Sequence, residues 1–216
     1  MSKYPQFVEE FNSLLNDAQA MCSITRDARL QNEAIDSMLK LQSRLSSLKI
    51  ESVDQGKEDI ANILLGFECA SQSLISELRM YLLLKKEQPD CAWDELVNAQ
   101  YSSLGAIRAH SGFSHLEPRV HQLEAIEKLV FPPQVFLSVG IDVNEVECSI
   151  CNASYYECDH VKGRPYMGQL CELIIKKASL NEVSIVEEPA DKRCRVTHFD
   201  SKDGKKRNRM TWQFEE

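Results

Sequence analysis

Four residues in the C-terminal half of the chain have side chains that bind metals, and they lie close together. Cys148, Cys151, Cys158 and His160 form the pattern C-x2-C-x6-C-x-H within the stretch "ECSICNASYYECDHVKG". Three thiolates and one imidazole complete the tetrahedral shell that zinc prefers, and a two-residue gap lets neighbouring thiolates face one ion. A complete protein shell leaves no position for water, which is typical of a structural site. The sequence therefore predicts one structural zinc ion bound by these residues.

Two other interpretations of the cluster are a redox pair and chance. A thioredoxin-like C-x-x-C opens a helix after a strand and needs no third cysteine and no histidine, so zinc is the preferred interpretation. Cys171 and Cys194 lie outside the compact set and are predicted to be packing residues or reserve ligands. Cys22, Cys69 and Cys91 stand alone among helical residues, where a cysteine is usually a small buried apolar side chain.

Three histidines lie in or beside the stretch "HSGFSHLEPR", residues 110–119. Its Gly, Ser and Pro content predicts a loop or linker. His110, His115 and His121 could in principle form a metal cluster or supply a catalytic base. No cysteine or carboxylate pattern accompanies them, so neither role is expected.

The elements that precede the cysteine cluster follow a helical period. From Phe7 to about Arg108 the apolar residues recur at intervals of three and four, the spacing of one helix face. Short breaks separate these stretches, one at 52–56 and one before Asp90, which is a candidate helix cap. The four apolar stripes predict an antiparallel helical bundle; they comprise Phe7, Phe11, Leu14, Ala18, Met21; Leu30, Ala34, Met38, Leu41, Leu45; Ile60, Ile63, Phe67, Ser71, Leu74, Leu78, Tyr81; and Trp93, Leu96, Ala99, Leu104.

After "VFPP" the sequence favours strands. "QVFLSVGIDV" and "NEVSIVEEP" are β-branched and aromatic, and the segment from 193 onward contains two extended runs around an Asp-Gly turn. One helix is predicted at "GQLCELIIKKA", residues 168–178. The predicted class is α+β, with a helical bundle over 1–110, a linker and connecting helix over 111–130, and a β-rich zinc-binding domain over 131–216.

Composition limits the classes of function. The 216 residues are 43% hydrophobic and 27% charged, with a formal net charge of −8, which indicates a globular protein. No run of 18 apolar residues and no signal-peptide pattern is present, so a cytoplasmic location is expected, where disulfides are disfavoured. The acidic balance disfavours general binding to nucleic acid, which requires a basic surface.

Part of the chain resembles a known family. The motifs "VFLSVGIDV" and "LNEVSIVEEPADKRCRV", preceded by "LEAIEKLVFPPQ", are similar to the second half of the prohead maturation proteases of tailed phages. The resemblance covers about residues 122–197. It implies that Ser138 matches the family's nucleophile and Glu182 the residue that supports its catalytic histidine. That histidine belongs to an earlier β-rich region, and helices are predicted in its place here.

The sequence therefore predicts a non-catalytic, zinc-stabilised interaction or adaptor subunit of a larger assembly, with a protein partner or a second copy of the chain. The resemblance implies a phage, prophage or phage-defence context. One alternative is a serine protease with Ser138 as nucleophile, Glu182 as orienting group and an unidentified base. A second alternative is a nucleic-acid-binding subunit that uses the basic residues near Trp212; these are Lys202, Lys205, Lys206, Arg207 and Arg209.

Overall fold

The N-terminal part of the chain is helical, as predicted. The computed structural model describes residues 4–201 and 203–214. Among the helices of these residues, none has the length and apolar character needed to cross a membrane. The helices are α1 (Tyr4–Ala20), α2 (Ala28–Asp54), α3 (Glu58–Lys85), α4 (Pro89–Ala109) and α5 (Glu117–Val130), with a 3-10 helix at Ser111–Leu116.

The helix boundaries follow local chemistry, with one correction. The predicted break at 52–56 separates α2 from α3. Pro89 is the first residue of α4, where its missing N–H costs nothing, but the cap is Gln88 and not Asp90. The Asp90 carboxylate instead accepts hydrogen bonds from Arg195 Nη2 at 2.5 Å and from Asn208 Nδ2 at 2.6 Å. Asp90 thus links the start of α4 to the C-terminal part of the chain.

The first core lies among α1 to α4 and contains most of the predicted apolar stripes. One position differs from the predicted pattern. Leu30 is 40% exposed, whereas the neighbouring Gln31 is fully buried. The Gln31 amide donates to the carbonyl oxygens of Met21 and Ser23, and its oxygen accepts from Lys85. The buried polar side chain is tolerated because its donors and its acceptor are satisfied.

The second core joins α3, α4 and α5 to the C-terminal part. Trp93 is fully buried, its ring contacts Phe131 and Phe136, and its indole N–H donates to the Lys192 carbonyl oxygen at 2.9 Å. The other buried members of this cluster are Met80, Tyr81, Ala92, Leu96, Val97, Ala99, Leu123 and Met210. Residues from both sides of position 110 therefore share one core.

The segment 110–119 is more ordered than a linker. It forms the 3-10 helix and the start of α5, and Phe113 is buried in the first core. Arg119 in α5 donates to the buried Glu77 carboxylate of α3 at 2.7 Å and to the Ser73 hydroxyl at 3.2 Å. This buried ion pair holds the connecting helix against the bundle.

Among the described residues of the C-terminal part there are three two-stranded antiparallel sheets, which pair β1 with β4, β2 with β3, and β5 with β6. The predicted hairpin around the Asp-Gly turn is confirmed as β5 and β6. The strands are β1 (Phe136–Cys148), β2 (Pro165–Tyr166), β3 (Gln169–Leu170), β4 (Leu173–Val186), β5 (His198–Asp200) and β6 (Lys206–Asn208). The α+β class is therefore confirmed.

The helix predicted at 168–178 is wrong. Met167 and Gly168 have φ values of 46° and 77° and form a two-residue turn between β2 and β3, and β4 begins at Leu173. Positive φ at both central residues is the requirement of the tight hairpin turn, which Gly168 meets at little cost. The apolar residues of 168–178 recur at helical spacing, but the β-branched residues Ile174 and Ile175 lie in β4 and pair with residues of β1.

Candidate metal centre and the β1–β4 ribbon

The structure brings the four predicted ligand residues together. One ligand atom from each of Cys148, Cys151, Cys158 and His160 lies within 4.8 Å of the other three. Cys148 is the last residue of β1, and Cys158 follows a short 3-10 helix at Tyr155–Glu157. The separations suit a single metal ion bound by three sulfur atoms and one nitrogen.

A tight turn after β1 positions the first two cysteines. Cys148 N–H donates to the Ala153 carbonyl oxygen, Asn152 N–H donates to the Cys148 carbonyl oxygen, and Asn152 has a φ of 58°. Ile150 N–H points at Cys148 Sγ over 3.4 Å. Burial raises the pKa of the Cys148 thiol, but hydrogen bonds from the backbone N–H groups of Cys151 and Ile150 and from the Cys171 and Cys151 side chains together lower the pKa of Cys148 overall. The turn therefore favours the thiolate that a metal requires.

His160 carries a nitrogen that fits a metal ligand. Its Nδ1 is buried and has no hydrogen-bond partner among the described residues. Its ring packs edge to face on Tyr166 with centroids 4.6 Å apart, and the Tyr166 hydroxyl accepts from Val161 N–H at 2.9 Å. An unsatisfied buried nitrogen costs roughly 1–3 kcal/mol, and coordination to a metal would remove that cost.

Sequence reasoning left Cys171 outside the compact set, and the structure brings it close. Cys171 is fully buried, and its Sγ lies 3.7 Å from Cys148 Sγ. Two thiolates on one tetrahedral zinc ion lie about 3.8 Å apart, given zinc–sulfur bonds of about 2.3 Å. Burial and a hydrogen bond with Cys148 raise the pKa of the Cys171 thiol. Cys171 is thus placed either to donate a hydrogen bond to the Cys148 thiolate or to replace one ligand.

The loop that carries the cluster, residues 149–172, connects β1 to β4 and rests on the helices. Gly168 N–H donates to Asn62 Oδ1 at 2.8 Å, and Met167 N–H donates to Glu58 Oε1 at 3.3 Å. Both acceptors lie in the first turns of α3. The candidate metal centre therefore lies between the end of the β1–β4 pair and the helical bundle.

The long pair of β1 and β4, here called the ribbon, carries four directly opposed apolar pairs on one face between Leu137 and Val143. The register places Leu137 opposite Ile185, Val139 opposite Val183, Ile141 opposite Leu180 and Val143 opposite Ala178. Because directly opposed residues share a face, these eight residues form one surface, here called the apolar face. The pairing shifts between Gly140 and Ile141, so that Asn181 in β4 has no partner residue in β1. The shift places Leu180 opposite Ile141, on the same face as the other apolar pairs.

The apolar face is open to solvent. Ile185 is 76% exposed, Leu180 66% and Val183 58%. Phe136, on the opposite face, contacts Trp93, so the base of the ribbon meets the helices through its other side. Residues 194–196 hydrogen-bond to β1 at that base.

The two residues suggested by the protease resemblance lie on the opposite, polar face. Ser138 pairs with Ser184 and Gly140 pairs with Glu182, so Ser138 and Glu182 are diagonal neighbours. The Glu182 side chain crosses Gly140: a Cβ at position 140 would lie 2.8 Å from Glu182 Cγ. The Glu182 carboxylate accepts from the Ser184 hydroxyl at 3.3 Å.

The three histidines considered from the sequence lie in the helical part and have other contacts. His110 Nε2 lies 3.4 Å from the Asp59 carboxylate. His115 Nδ1 lies 2.9 Å from the Gly112 carbonyl oxygen, and His121 Nδ1 lies 3.2 Å from the Glu124 carboxylate in the same helix. Among the described residues, none of these three forms a hydrogen bond with Ser138.

The basic C-terminal hairpin is partly engaged within the chain. The Arg207 guanidinium lies over the Phe214 ring at 4.1 Å, and Arg209 donates to the Pro133 carbonyl oxygen at 3.4 Å. Lys205 and Lys206 are exposed, and Lys202 lies outside the described residues. Trp212 is 59% exposed and contacts Phe199 edge to face.

Comparison with known proteins adds no relative. No protein-family model, no curated protein and no solved structure matches the chain. The similarity of residues 122–197 to prohead proteases therefore rests on the motifs alone.

Proposed function

We propose that the protein is a non-catalytic interaction subunit whose C-terminal part is stabilised by zinc. The observation that carries the proposal is the apolar face of the ribbon, which stands in solvent beside a metal-ligand cluster. A monomer gains nothing from an exposed surface of this size and uniformity, so such a surface is typical of a contact with another molecule. The phage, prophage or phage-defence context of the proposal comes from the resemblance.

Zinc is the metal that best suits the cluster. Three cysteine sulfurs and one imidazole nitrogen form a soft donor set, which selects against magnesium and calcium. Iron–sulfur clusters take cysteine ligands predominantly, whereas Cys3His is a common structural zinc set. The role of the ion would be to hold the loop between the strands of the ribbon. No protein side chain would need to act on a substrate there.

The polar face supplies the argument for the alternative function, a serine protease. Ser138 and Glu182 lie on one face of the ribbon, as nucleophile and orienting residue would require. A serine hydroxyl also needs a base within hydrogen-bond reach to take its proton. Glu182 is occupied with Ser184, and His110, His115 and His121 contact other groups. These contacts favour the non-catalytic proposal.

A serine-reactive probe tests the choice between these functions. Zinc-loaded protein is treated with a fluorophosphonate probe, beside the Ser138→Ala variant and an active serine protease as positive control. We expect no labelling of the chain. Labelling of the wild-type protein that disappears in Ser138→Ala would refute the proposal and support the protease.

The nucleic-acid alternative depends on the basic hairpin. If the hairpin binds single-stranded nucleic acid, substitution of both Lys205 and Lys206 by neutral residues should abolish that binding. Because Arg207 and Arg209 already have partners within the chain, we expect no measurable binding at 150 mM salt, a condition of roughly physiological ionic strength.

A further inference from the structure

We infer that the apolar face of the ribbon binds a second copy of the same chain. The two faces would pack against each other and form a four-stranded sandwich around a two-fold axis. The inference rests on the proposed function and names the partner that the interaction surface would take.

Self-complementarity is the first argument for a second copy. In a two-fold contact the same surface meets itself, so a charge on that surface meets a like charge near the axis. None of the eight residues of the apolar face is charged. The charged residues of this part of the ribbon, Asp142 and Glu182, project from the opposite face. The apolar face can therefore meet its own copy without burying any unpaired charge.

The area of the apolar face is the second argument. Its eight side chains expose on the order of 600 Å² per chain, at the upper limit for an apolar patch on a monomer. Two such faces bury about 1,200 Å² in total, which is the lower limit of stable and specific interfaces. Because area alone does not fix affinity, we expect only that a contact at this lower limit gives a weak dimer, with a Kd in the micromolar range.

The construction of the ribbon is the third argument. An isolated two-stranded sheet is at best marginally stable in water. On the outer edge of β4, no strand pairs among the described residues. Packing against another ribbon would cover both strands at the usual distance of about 10 Å between sheets. The irregularity at Asn181 matters here, because without it Leu180 and Ala178 would turn to the polar face.

The test compares two double variants that differ only in the face they alter. Leu180→Lys with Val183→Lys places two charges on the apolar face. Ser179→Lys with Ser184→Lys adds the same charge to the neighbouring positions on the polar face, where Asp142 and Glu182 are close by. Molecular mass is measured by analytical ultracentrifugation of zinc-loaded full-length protein from about 1 to 200 μM, a range that brackets the expected Kd.

We expect the wild-type protein and the polar-face variant to dimerise with Kd values within about threefold of each other. The apolar-face variant should weaken the dimer by at least roughly 100-fold, because like charges would face each other in a water-excluded contact. Higher salt should strengthen the wild-type dimer, since it screens repulsion between two chains of net charge −8.

Wild-type protein that stays monomeric at 200 μM would overturn the inference, as would equal effects of the two double variants or a dimer that dissociates as salt rises. If the apolar-face variant loses zinc or helical content, the single change Ile185→Lys, at a highly exposed position, replaces it. A monomeric wild type leaves the non-catalytic proposal intact, because that proposal is tested separately, by the labelling of Ser138 and by nucleic-acid binding.

Discussion

Removing the metal should unfold the loop 149–172 and leave the helices folded. Ordering the backbone costs about 1–2 kcal/mol for each residue. Against this cost, the bonds from Gly168 to Asn62 and from Met167 to Glu58 contribute about 1 kcal/mol each. Structural zinc supplies roughly 10–16 kcal/mol in zinc-finger peptides, several times the contribution of these two hydrogen bonds. Neither buried core includes a residue of this loop.

Trypsin offers a direct assay because Lys162 is exposed within the loop, whereas the bond after Arg164 is protected by Pro165 in any state of the protein. After chelation, cleavage after Lys162 should accelerate by at least about 100-fold, as the loop opens in most molecules. The far-ultraviolet circular dichroism should keep its helical signal, and exposed Lys40 in α2 should remain protected. Cleavage products are identified by mass spectrometry.

Two variants separate the metal from nonspecific effects of losing a cysteine. Cys151→Ser should behave as the chelated protein does, and Cys91→Ser, which alters an exposed cysteine at the start of α4, should behave as the wild type does. The reasoning is refuted if chelation leaves the cleavage rate unchanged. It is also refuted if the helical signal is lost together with the loop.

Three further outcomes are expected. In the cobalt-substituted protein, His160→Ala should shift the visible absorption bands of the metal, because the nitrogen ligand is lost while three sulfur ligands remain, whereas Cys171→Ser should leave the bands unchanged; the reverse result would make Cys171 the fourth ligand. A fragment of residues 1–110 should show helical circular dichroism, and one of residues 1–131 should melt at a higher temperature because it completes more of the second core; an unfolded 1–110 fragment would refute the predicted boundary. Asp90→Ala should lower the free energy of unfolding by roughly 2 kcal/mol, measured by urea denaturation, because it leaves a buried guanidinium without its partner; an unchanged midpoint would refute that role.

Features set by local spacing could be predicted from the sequence. The helical period gave α1 to α4, and the cysteine spacing identified four residues that the structure brings together. Both signals operate within a few residues, so they need no knowledge of the tertiary structure.

Cys171 shows why other features could not be predicted. Its distance from Cys148 depends on the turn at Met167 and Gly168, which reverses the chain and returns residue 171 to the end of β1. The residues around Cys171 have apolar side chains at helical spacing. Because a helix was predicted there, the turn at Met167 and Gly168 was not. An error in one local element therefore hid a long-range contact.

The exposure of the apolar face to solvent also could not be predicted from the sequence pattern. The β-branched and aromatic content of residues 134–143 predicted a strand, and such a strand normally turns its apolar side to a core. Whether a core covers that side depends on the placement of other elements, and here the helices meet the ribbon at Phe136, on its other side. The sequence pattern of a buried strand and that of a docking strand are the same.

The protease-like motifs acquire a second explanation from the ribbon itself. Gly140 follows Ser138 by two residues, and a Cβ there would lie 2.8 Å from Glu182 Cγ, so the glycine lets the Glu182 side chain cross the neighbouring strand. Ser184 then holds the Glu182 carboxylate over that gap. These contacts account for the glycine of the first motif and for the glutamate and serine of the second without any catalytic step. A fold can keep such residues for the geometry of its sheet, whether it has lost a catalytic activity or never had one. For this reason we expect that the fluorophosphonate probe will not label the protein.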